Sequence, residues 1–368
     1  MNVFIHQGSE WYGSDVVFWG TAVSLVNKND KIILPTAGLL EKKISEAGFK
    51  VEIKKFSKIY KRTNILYYFL DLVLLIRDLV RFYSTIKKAQ KVYISTVRMP
   101  QFIFLGLLLN KIVVLHVHEL PPKILRLTYR LIAKTFGKKF QIIAVSTWLN
   151  DAMRLPNSIM IPNFVHPDKT IEGLDRSKRK KSAPFIFAYV GRFNSWKGQE
   201  IIPNAANLVC SSSNKPFEVH FFGDAYVGKE YFYTELASLV NRLDLKSVTQ
   251  FRGFSLNMAK NYSDIDCLIV PSKEKEPFGL VVIEALANGI PVIASNQPTF
   301  IEILNYKDLE MGLFESENRM DLKNKMIEFL DMEEVQIKKI EVAGVERAKD
   351  FSFETFQVNM VENWKKTG

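Results

Sequence analysis

Cysteine and histidine are scarce, and this scarcity excludes several kinds of protein. Only two cysteines occur in 368 residues, Cys210 and Cys267, and each lies in an apolar run. A disulfide framework is therefore excluded, and buried thiols of a reducing compartment are expected. Among the five histidines, His116 and His118 share one face of a predicted strand. No third ligand lies near them in the sequence, so a zinc site is not predicted.

Long apolar runs are also missing. The two longest, residues 65–76 and 102–109, are shorter than the roughly 18 residues that a membrane-spanning helix needs. The chain begins with a strand-like segment, residues 3–6, and lacks the basic and apolar regions of a signal peptide. We therefore expect a cytoplasmic protein that is soluble or peripheral on the inner face of the cell membrane.

The formal net charge of +11 is unevenly distributed along the chain. Residues 1–183 contain 30 Lys and Arg against 13 Asp and Glu, whereas residues 184–368 contain 20 against 26. This uneven distribution of charge predicts that the N-terminal half alone binds an anionic surface or substrate.

Basic residues flank the aromatic and leucine-rich segment 65–76, a pattern typical of an amphipathic element at an anionic membrane surface. A core helix with solvated ends is the alternative. The flanking cations are Lys54, Lys55, Lys58, Lys61, Arg62, Arg77, Arg81, Lys87, Lys88 and Lys91. A second set follows at mostly helical spacing: Lys123, Arg126, Arg130, Lys134, Lys138 and Lys139. No nucleic-acid partner is predicted, because no recognised binding motif accompanies the charge.

Strands and helices alternate along the whole chain, which predicts α/β architecture with two doubly wound domains. A length of 368 residues agrees with two domains. We predict an N-terminal domain over residues 1–165, a basic linker over 166–183 and a second domain over 184–350. Residues 351–368 are expected to form a final helix that packs back on the first domain.

Residues 271–295 contain a pattern typical of a sugar-nucleotide site. A polar loop ending in Glu276 leads into a helix start at Phe278, Gly279 and Leu280, whose unpaired amides favour an anion. Glu284 lies about two turns into that helix. Each carboxylate can accept from two adjacent sugar hydroxyls, one on a hexose and one on a ribose. The alternative is that both acids are solvated residues near a helix start.

Two cations follow the first strand of the predicted second domain. Arg192 and Lys197 occur in the segment GRFNSWKG, residues 191–198. Fixed cations at the end of a strand can neutralise a diphosphate and its growing charge as it leaves. Surface charge is the alternative. A D-x-D triplet, Asp264 to Asp266, directly precedes an apolar strand, so we interpret it as structural and predict no metal site.

Taken together, these motifs resemble glycosyltransferase family 4, the retaining GT-B enzymes. The resemblance rests on EPFG at 276–279 with PVIAS at 291–295, on the GR-x4-KG frame and on IPNFV at 161–165. It implies two Rossmann-like domains that face a central cleft. It also implies transfer of a hexose from a nucleoside diphosphate sugar, with UDP-sugar favoured, retention of configuration and no metal or other cofactor.

The resemblance assigns roles to individual residues. Arg192 and Lys197 are expected to hold the diphosphate, Glu276 the sugar hydroxyls and Glu284 the ribose. In the first domain, His118 and Glu119 match the family's H-E pair, in which the histidine lies beside the reacting carbon; Glu119 could instead orient its loop. Gly13 is expected near the donor diphosphate, and Gly253 and Phe254 beside the base.

The expected acceptor is a glycan or an undecaprenyl-linked glycan, in bacterial surface polysaccharide assembly at the membrane. Three alternatives remain. A nucleotide-sugar epimerase would need more histidines and acids around the site than the dispersed histidines suggest. A phosphorylase would need a pyridoxal lysine, whose motif is missing. A non-catalytic, membrane-docked scaffold would keep the fold and turn over no donor.

Overall fold

The computed structural model describes residues 1–59, 65–156, 158–170, 184–255 and 261–367, without the side chains of residues 65–71. The chain divides into two units. The first comprises Met1–Asn163 with Phe353–Gly368, and the second comprises Phe164–Ser352. Most of the predicted linker, including the basic run 176–181, lies outside the described residues, as do Lys61 and Arg62.

The first unit is built on a parallel sheet of seven strands in the order β3-β2-β1-β4-β5-β6-β7. The strands are β1 Val3–His6, β2 Lys31–Leu34, β3 Val51–Ile53, β4 Lys91–Ser95, β5 Ile112–Val117, β6 Phe140–Ala144 and β7 Ser158–Met160. The central strands are continuous runs of buried apolar residues, as expected where helices cover both faces of a parallel sheet.

Six helices connect these strands: α1 Gly13–Leu25, α2 Leu39–Glu46, α3 Ile65–Lys87, α4 Pro100–Leu108, α5 Lys123–Phe136 and α6 Thr147–Met153. Ser146 caps α6 by accepting a hydrogen bond from the Leu149 amide, 3.2 Å away. No helix in the described part of the chain has the length and apolar character needed to cross a membrane.

The second unit repeats the same topology with six parallel strands in the order β10-β9-β8-β11-β12-β13. The strands are β8 Phe185–Val190, β9 Phe217–Phe222, β10 Thr249–Gly253, β11 Cys267–Val270, β12 Val292–Ser295 and β13 Leu313–Phe314. The described helices are α7 Ile201–Cys210, α8 Tyr231–Arg242, α9 Leu280–Ala287, α10 Pro298–Leu304, α11 Arg319–Asp331 and α12 Glu334–Ala348.

The last helix, α13 Phe353–Lys366, belongs to the first unit. Its Phe353 ring stacks on Trp19 of α1 with centroids 5.4 Å apart, and Trp364 stacks on Phe4 of β1 at 5.3 Å. Lys91 of β4 donates to the Trp364 carbonyl oxygen over 2.6 Å. Aromatic packing and this hydrogen bond therefore return the end of the chain to the first sheet.

Both sheets reverse their strand order at one point, between β1 and β4 in the first unit and between β8 and β11 in the second. Loops that follow the two strands at such a point diverge to opposite faces, and the crevice between them is where open α/β sheets bind ligands. A ligand site is therefore expected at the carboxyl ends of these strands.

Candidate functional site

A partly buried ion pair lies at the reversal point of the second sheet. Lys197, in the loop after β8, places its Nζ 2.8 Å from Oε1 of Glu276, in the loop after β11. The Glu276 side chain is buried, and the Ser272 hydroxyl donates to the same Oε1. The structure thus brings together two of the residues singled out from the sequence, from loops that are 79 residues apart.

Hydrogen bonds to the backbone hold the Glu276 loop from the next strand and helix. The Glu276 amide donates to Gln297 Oε1 over 2.9 Å, and Thr299 Oγ1 donates to the Glu276 carbonyl over 2.7 Å. Ser295 Oγ donates to the Ser272 carbonyl over 2.8 Å. Sequence reasoning missed these supports, because a buried Gln or Thr has no distinguishing local pattern.

The Lys197 loop is fixed by its own turn and by the β11 loop. Asn194 Oδ1 accepts hydrogen bonds from the amides of Trp196 and Lys197, 3.1 and 3.0 Å away. Gly198 has a φ of +68°, and a Cβ there would overlap the carbonyl oxygen of Pro271. Glycine therefore permits both the left-handed turn and the close approach of the two loops.

Arg192 follows β8 and lies against an aromatic ring. Its guanidinium carbon is 4.0 Å from the centroid of Tyr226, a cation–π contact. Its carbonyl accepts a hydrogen bond from the buried Tyr189 hydroxyl over 2.9 Å. The arginine thus stands on the same loop as Lys197, with its backbone and its side chain each held by a tyrosine.

The predicted helix start is present: Gly279 is the N-cap of α9, and Leu280 is its first residue. Phe278 is buried against Phe351, with ring centroids 5.9 Å apart. A Cβ on Gly279 would lie 2.9 Å from the ring of Phe300, so this glycine lets the loop pack closely on α10. The first amides of a helix have no intrahelical acceptor, which leaves them suited to an anion.

Glu284 lies within α9 and is half-buried. Its Oε2 accepts a hydrogen bond from the Tyr262 hydroxyl over 2.9 Å. Burial raises the pKa of Glu284, while the charge of Lys169 and the Tyr262 hydrogen bond lower it. Tyr262 therefore takes one acceptor position of the carboxylate predicted to hold a ribose.

Three further predicted positions are placed as follows. Gly253 ends β10 with a φ of +68°, and its carbonyl accepts from the Gly223 amide over 2.9 Å. Phe254, the next residue, is largely exposed. Asp266 accepts a hydrogen bond from the Ile186 amide over 2.7 Å, so it joins the starts of β8 and β11.

The first unit gathers three of the five histidines at the carboxyl end of its sheet. His118 follows β5, shares a 3.2 Å hydrogen bond with Ser95 of β4, and lies 4.2 Å from His116 between ring centroids. His6 ends β1 and bonds to Asp15 over 2.9 Å. Strand order brings β1, β4 and β5 together, so His6 lies in the same region as His116 and His118.

Burial keeps the imidazole of His118 neutral. Desolvation is the main cause that lowers its pKa to about 3, with a further decrease from His6 and an opposing increase from Asp15. Burial and the two neighbouring histidines also hold the pKa of His116 well below its ordinary value. At neutral pH, His118 can therefore donate or accept a hydrogen bond without carrying charge.

Two neighbouring features of the first unit bear on the predicted roles of Glu119 and Gly13. Glu119 Oε1 accepts from Thr96 over 2.7 Å and lies 3.3 Å from Arg98 Nε, contacts that orient the loop after β4. Gly13 begins α1, and Asp15 accepts from the Tyr12 amide over 3.0 Å. That amide is consequently taken by a carboxylate.

Comparison with known proteins places this geometry in context. Residues 171–343 match the family model described as Glycosyl transferases group 1. An uncharacterised glycosyltransferase of Methanocaldococcus jannaschii is 32% identical over 168 residues, which are 45% of this chain and 44% of the relative. D-inositol 3-phosphate glycosyltransferase of Corynebacterium kroppenstedtii is 29% identical over 33% of this chain and 28% of the relative. The chain thus spans less than half the length of these relatives.

Solved structures resemble the whole chain. HepE of Anabaena, crystallised with UDP, superposes with a TM-score of 0.82 at 18% identity and covers 99% of both chains. Sucrose-phosphate synthase of Thermosynechococcus elongatus gives 0.74 at 16% identity, covering 100% of this chain and 99% of the other. The GT-B fold class expected from the sequence, with two parallel-sheet α/β domains, is confirmed.

Proposed function

Since residues 171–343 match the group 1 glycosyl transferases, we propose that this protein is a retaining, family 4 hexosyltransferase. Its donor is a nucleoside diphosphate sugar, with UDP-sugar favoured because HepE, a structural relative, is crystallised with UDP and with UDP-glucose. The observation that carries the proposal is the partly buried Lys197–Glu276 pair at the reversal point of the second sheet.

The two charges of this pair suit the two parts of such a donor. A carboxylate accepts from adjacent sugar hydroxyls, and an ammonium offers three donors to phosphate oxygens. Arg192 supplies a second cation, and the amides at Phe278, Gly279 and Leu280 supply neutral donors. A diphosphate leaving group gains negative charge as its bond to sugar breaks, so fixed donors stabilise the transition state more than the ground state.

The proposed transfer occurs on one face of the sugar. The bond from the anomeric carbon to the diphosphate oxygen breaks, and the acceptor oxygen bonds to that carbon from the same side. The acceptor proton passes to the departing phosphate oxygen, so the anomeric configuration is retained and no metal is required. Neutral His118 serves as a hydrogen-bonding group beside the reacting carbon.

The proposed acceptor is a glycan, free or undecaprenyl-linked, in the assembly of a surface polysaccharide. The basic first unit supports this proposal because it suits an anionic membrane surface, and a transferase acting on lipid-linked glycans works at such a surface. We therefore place the protein on the cytoplasmic face of the cell membrane as a peripheral protein.

Donor turnover tests the proposal directly. The purified chain is incubated with a panel of nucleotide sugars, without acceptor and with chelator, and release of nucleoside diphosphate and free sugar is followed. Slow hydrolysis of one donor supports the assignment, and Lys197→Ala should abolish it. Release of no sugar from any donor would favour the non-catalytic scaffold.

The histidine cluster of the first unit makes an epimerase the second candidate, because it gathers imidazoles and the carboxylate of Asp15 at one end of the sheet. Nuclear magnetic resonance of the sugar product separates the two activities. A changed configuration at a ring carbon of the donor, with the diphosphate still attached, would replace the transferase proposal.

A further inference from the structure

Helix α5 presents two parallel stripes of opposite chemistry. Its exposed large apolar residues, Ile124, Leu127 and Leu131, are 77%, 60% and 67% accessible. Their spacing of three and four residues places them along one face. The helix also carries four cations at the same spacing, one residue offset from the first stripe: Lys123, Arg126, Arg130 and Lys134. No acid occurs in α5.

Helix α4 also exposes apolar side chains. Phe104 and Leu108 of α4 are exposed and lie one turn apart. Consecutive right-handed crossovers through β4, β5 and β6 place α4 and α5 on the same side of the sheet. Tyr129 of α5 donates to the Val97 carbonyl ahead of α4 over 2.8 Å. We call the five exposed residues of the two helices, Phe104, Leu108, Ile124, Leu127 and Leu131, the apolar patch.

A basic cavity of about 510 Å³ lies beside the patch, between α5 and α6. Four cations, one tryptophan and one acid are prominent in its lining: Lys123, Arg126, Arg130, Arg154, Trp148 and Asp151. Arg126 and Arg130 each donate to a carbonyl at the end of α6, at Ala152 and Met153. Arg126 Nε is buried and has no hydrogen-bond acceptor among the described residues.

We propose that the apolar patch and the basic cavity dock this protein on an anionic phospholipid bilayer. The patch enters the headgroup region, and the cavity receives the phosphate of one lipid. Cations gathered around a cavity with a single acid favour an anion, and neighbouring exposed apolar side chains favour one attached to acyl chains. A second copy of the chain is disfavoured, because it would bring like charges together.

This inference rests on the proposed function and extends it. The docking surface is the part of the molecule through which a transferase for lipid-linked glycans would bind the membrane. It differs from the segment around residues 65–76 that composition singled out. In α3, Phe82 and Ile86 pack in the core, and the buried carboxylate of Asp78 accepts from the Ser57 amide over 2.6 Å. Leu72, Ile76 and Val80 of the same helix are exposed, so the membrane-surface role of that segment stays a prediction.

Co-sedimentation with vesicles tests the surface without donor or acceptor. We expect the full chain to bind vesicles that contain phosphatidylglycerol and phosphatidylcholine, and to dissociate from them as the salt concentration rises. It should not bind vesicles of pure phosphatidylcholine. Lys123→Gln, Lys134→Gln and Arg154→Gln should each lower the partition coefficient roughly fivefold. The double variant Ile124→Ser, Leu131→Ser should lower it about tenfold or more.

Matched controls come from the second unit. Val227→Ser and Lys229→Gln remove an exposed apolar side chain and an exposed cation, and they should leave vesicle binding unchanged. Equal binding to neutral vesicles, or full binding by the α5 variants, would overturn the proposal, as would a change in oligomeric state in place of vesicle binding. Donor hydrolysis measured on the same variants should match that of the parent chain, so loss of docking and failure of the transferase assignment are distinguished.

Discussion

Glu276 shows how one side chain can serve both halves of a proposed donor. Its Oε1 accepts from the Lys197 ammonium and from the Ser272 hydroxyl, while Gln297 and Thr299 hold its backbone. A carboxylate held in this way keeps its direction without reorganising when a ligand arrives. In the proposed function, the same ion pair would therefore set the position of the sugar and that of the leaving phosphate.

Removing this carboxylate should therefore stop turnover and leave the fold intact. Glu276→Ala is expected to lower donor hydrolysis about 100-fold or more, the range seen when one preorganised electrostatic group is lost. Glu276→Gln should recover part of the loss, because an amide oxygen still accepts from Ser272. Glu274→Gln, an exposed acid on the same loop, is the control. Near-normal hydrolysis by the alanine variant would refute the assigned role.

The lowered pKa of His118 predicts how the stability of the fold depends on pH. The folded state holds its pKa at about 3, below the ordinary value of 6.5, so the unfolded chain binds more protons between these values. The contribution of His118 to stability is therefore present above about pH 6.5 and is lost as pH falls toward 3. Urea denaturation at stepped pH should show this decline.

The variant His118→Gln should flatten that decline without removing it, because His116 also has a lowered pKa. Donor hydrolysis should show no ionisation of His118 between pH 6 and 8. A pH titration of the imidazole resonances by nuclear magnetic resonance measures the pKa of His118 directly. A His118 signal that titrates near 6.5 would contradict the desolvated, neutral state described above.

At the scale of secondary-structure elements, local motifs were predictable and cross-strand contacts were not. The turn around Gly198 and the helix start at Gly279 follow from short segments of sequence. The cluster of His6 with His118 depends on strand order, which a linear pattern does not give. The exposed face of helix α4 could not be predicted for another reason. The helix is apolar on all sides, so the periodicity of its sequence does not distinguish a buried face from an exposed one.

Two of the glycine turns of the second unit, at Gly198 and Gly228, give a matched test of loop packing. Gly198 and Gly228 both have positive φ, +68° and +79°, but only Gly198 has a neighbour that a Cβ would overlap. Gly228→Ala should cost about 1–2 kcal/mol for the left-handed backbone alone. Gly198→Ala should cost more and should also lower hydrolysis, because the Pro271 loop must move. If both variants lose the same free energy of unfolding in urea denaturation, the close approach of Gly198 to Pro271 does not contribute to stability.

At the scale of the whole molecule, the chain has two hydrophobic cores, and its N-terminal half is basic whereas its C-terminal half is acidic. Fold class followed from the alternation of strands and helices, since each parallel sheet needs helices on both faces. The charge division between the halves was also visible in the sequence. What composition could not show is where the cations meet exposed apolar side chains, because that requires knowing the buried side of α5.

Two cores also mean that unfolding need not be a single transition, which allows the nucleotide to be assigned to one unit. UDP at a hundred times its dissociation constant should raise apparent stability by about 2.7 kcal/mol. In scanning calorimetry, the transition that UDP raises should be the one that Gly228→Ala lowers, because that glycine lies in the second unit. Lys197→Ala should weaken the shift. A UDP-sensitive transition that Gly228→Ala leaves unchanged would place the nucleotide on the first unit, and the proposed roles of Lys197 and Glu276 would fail together.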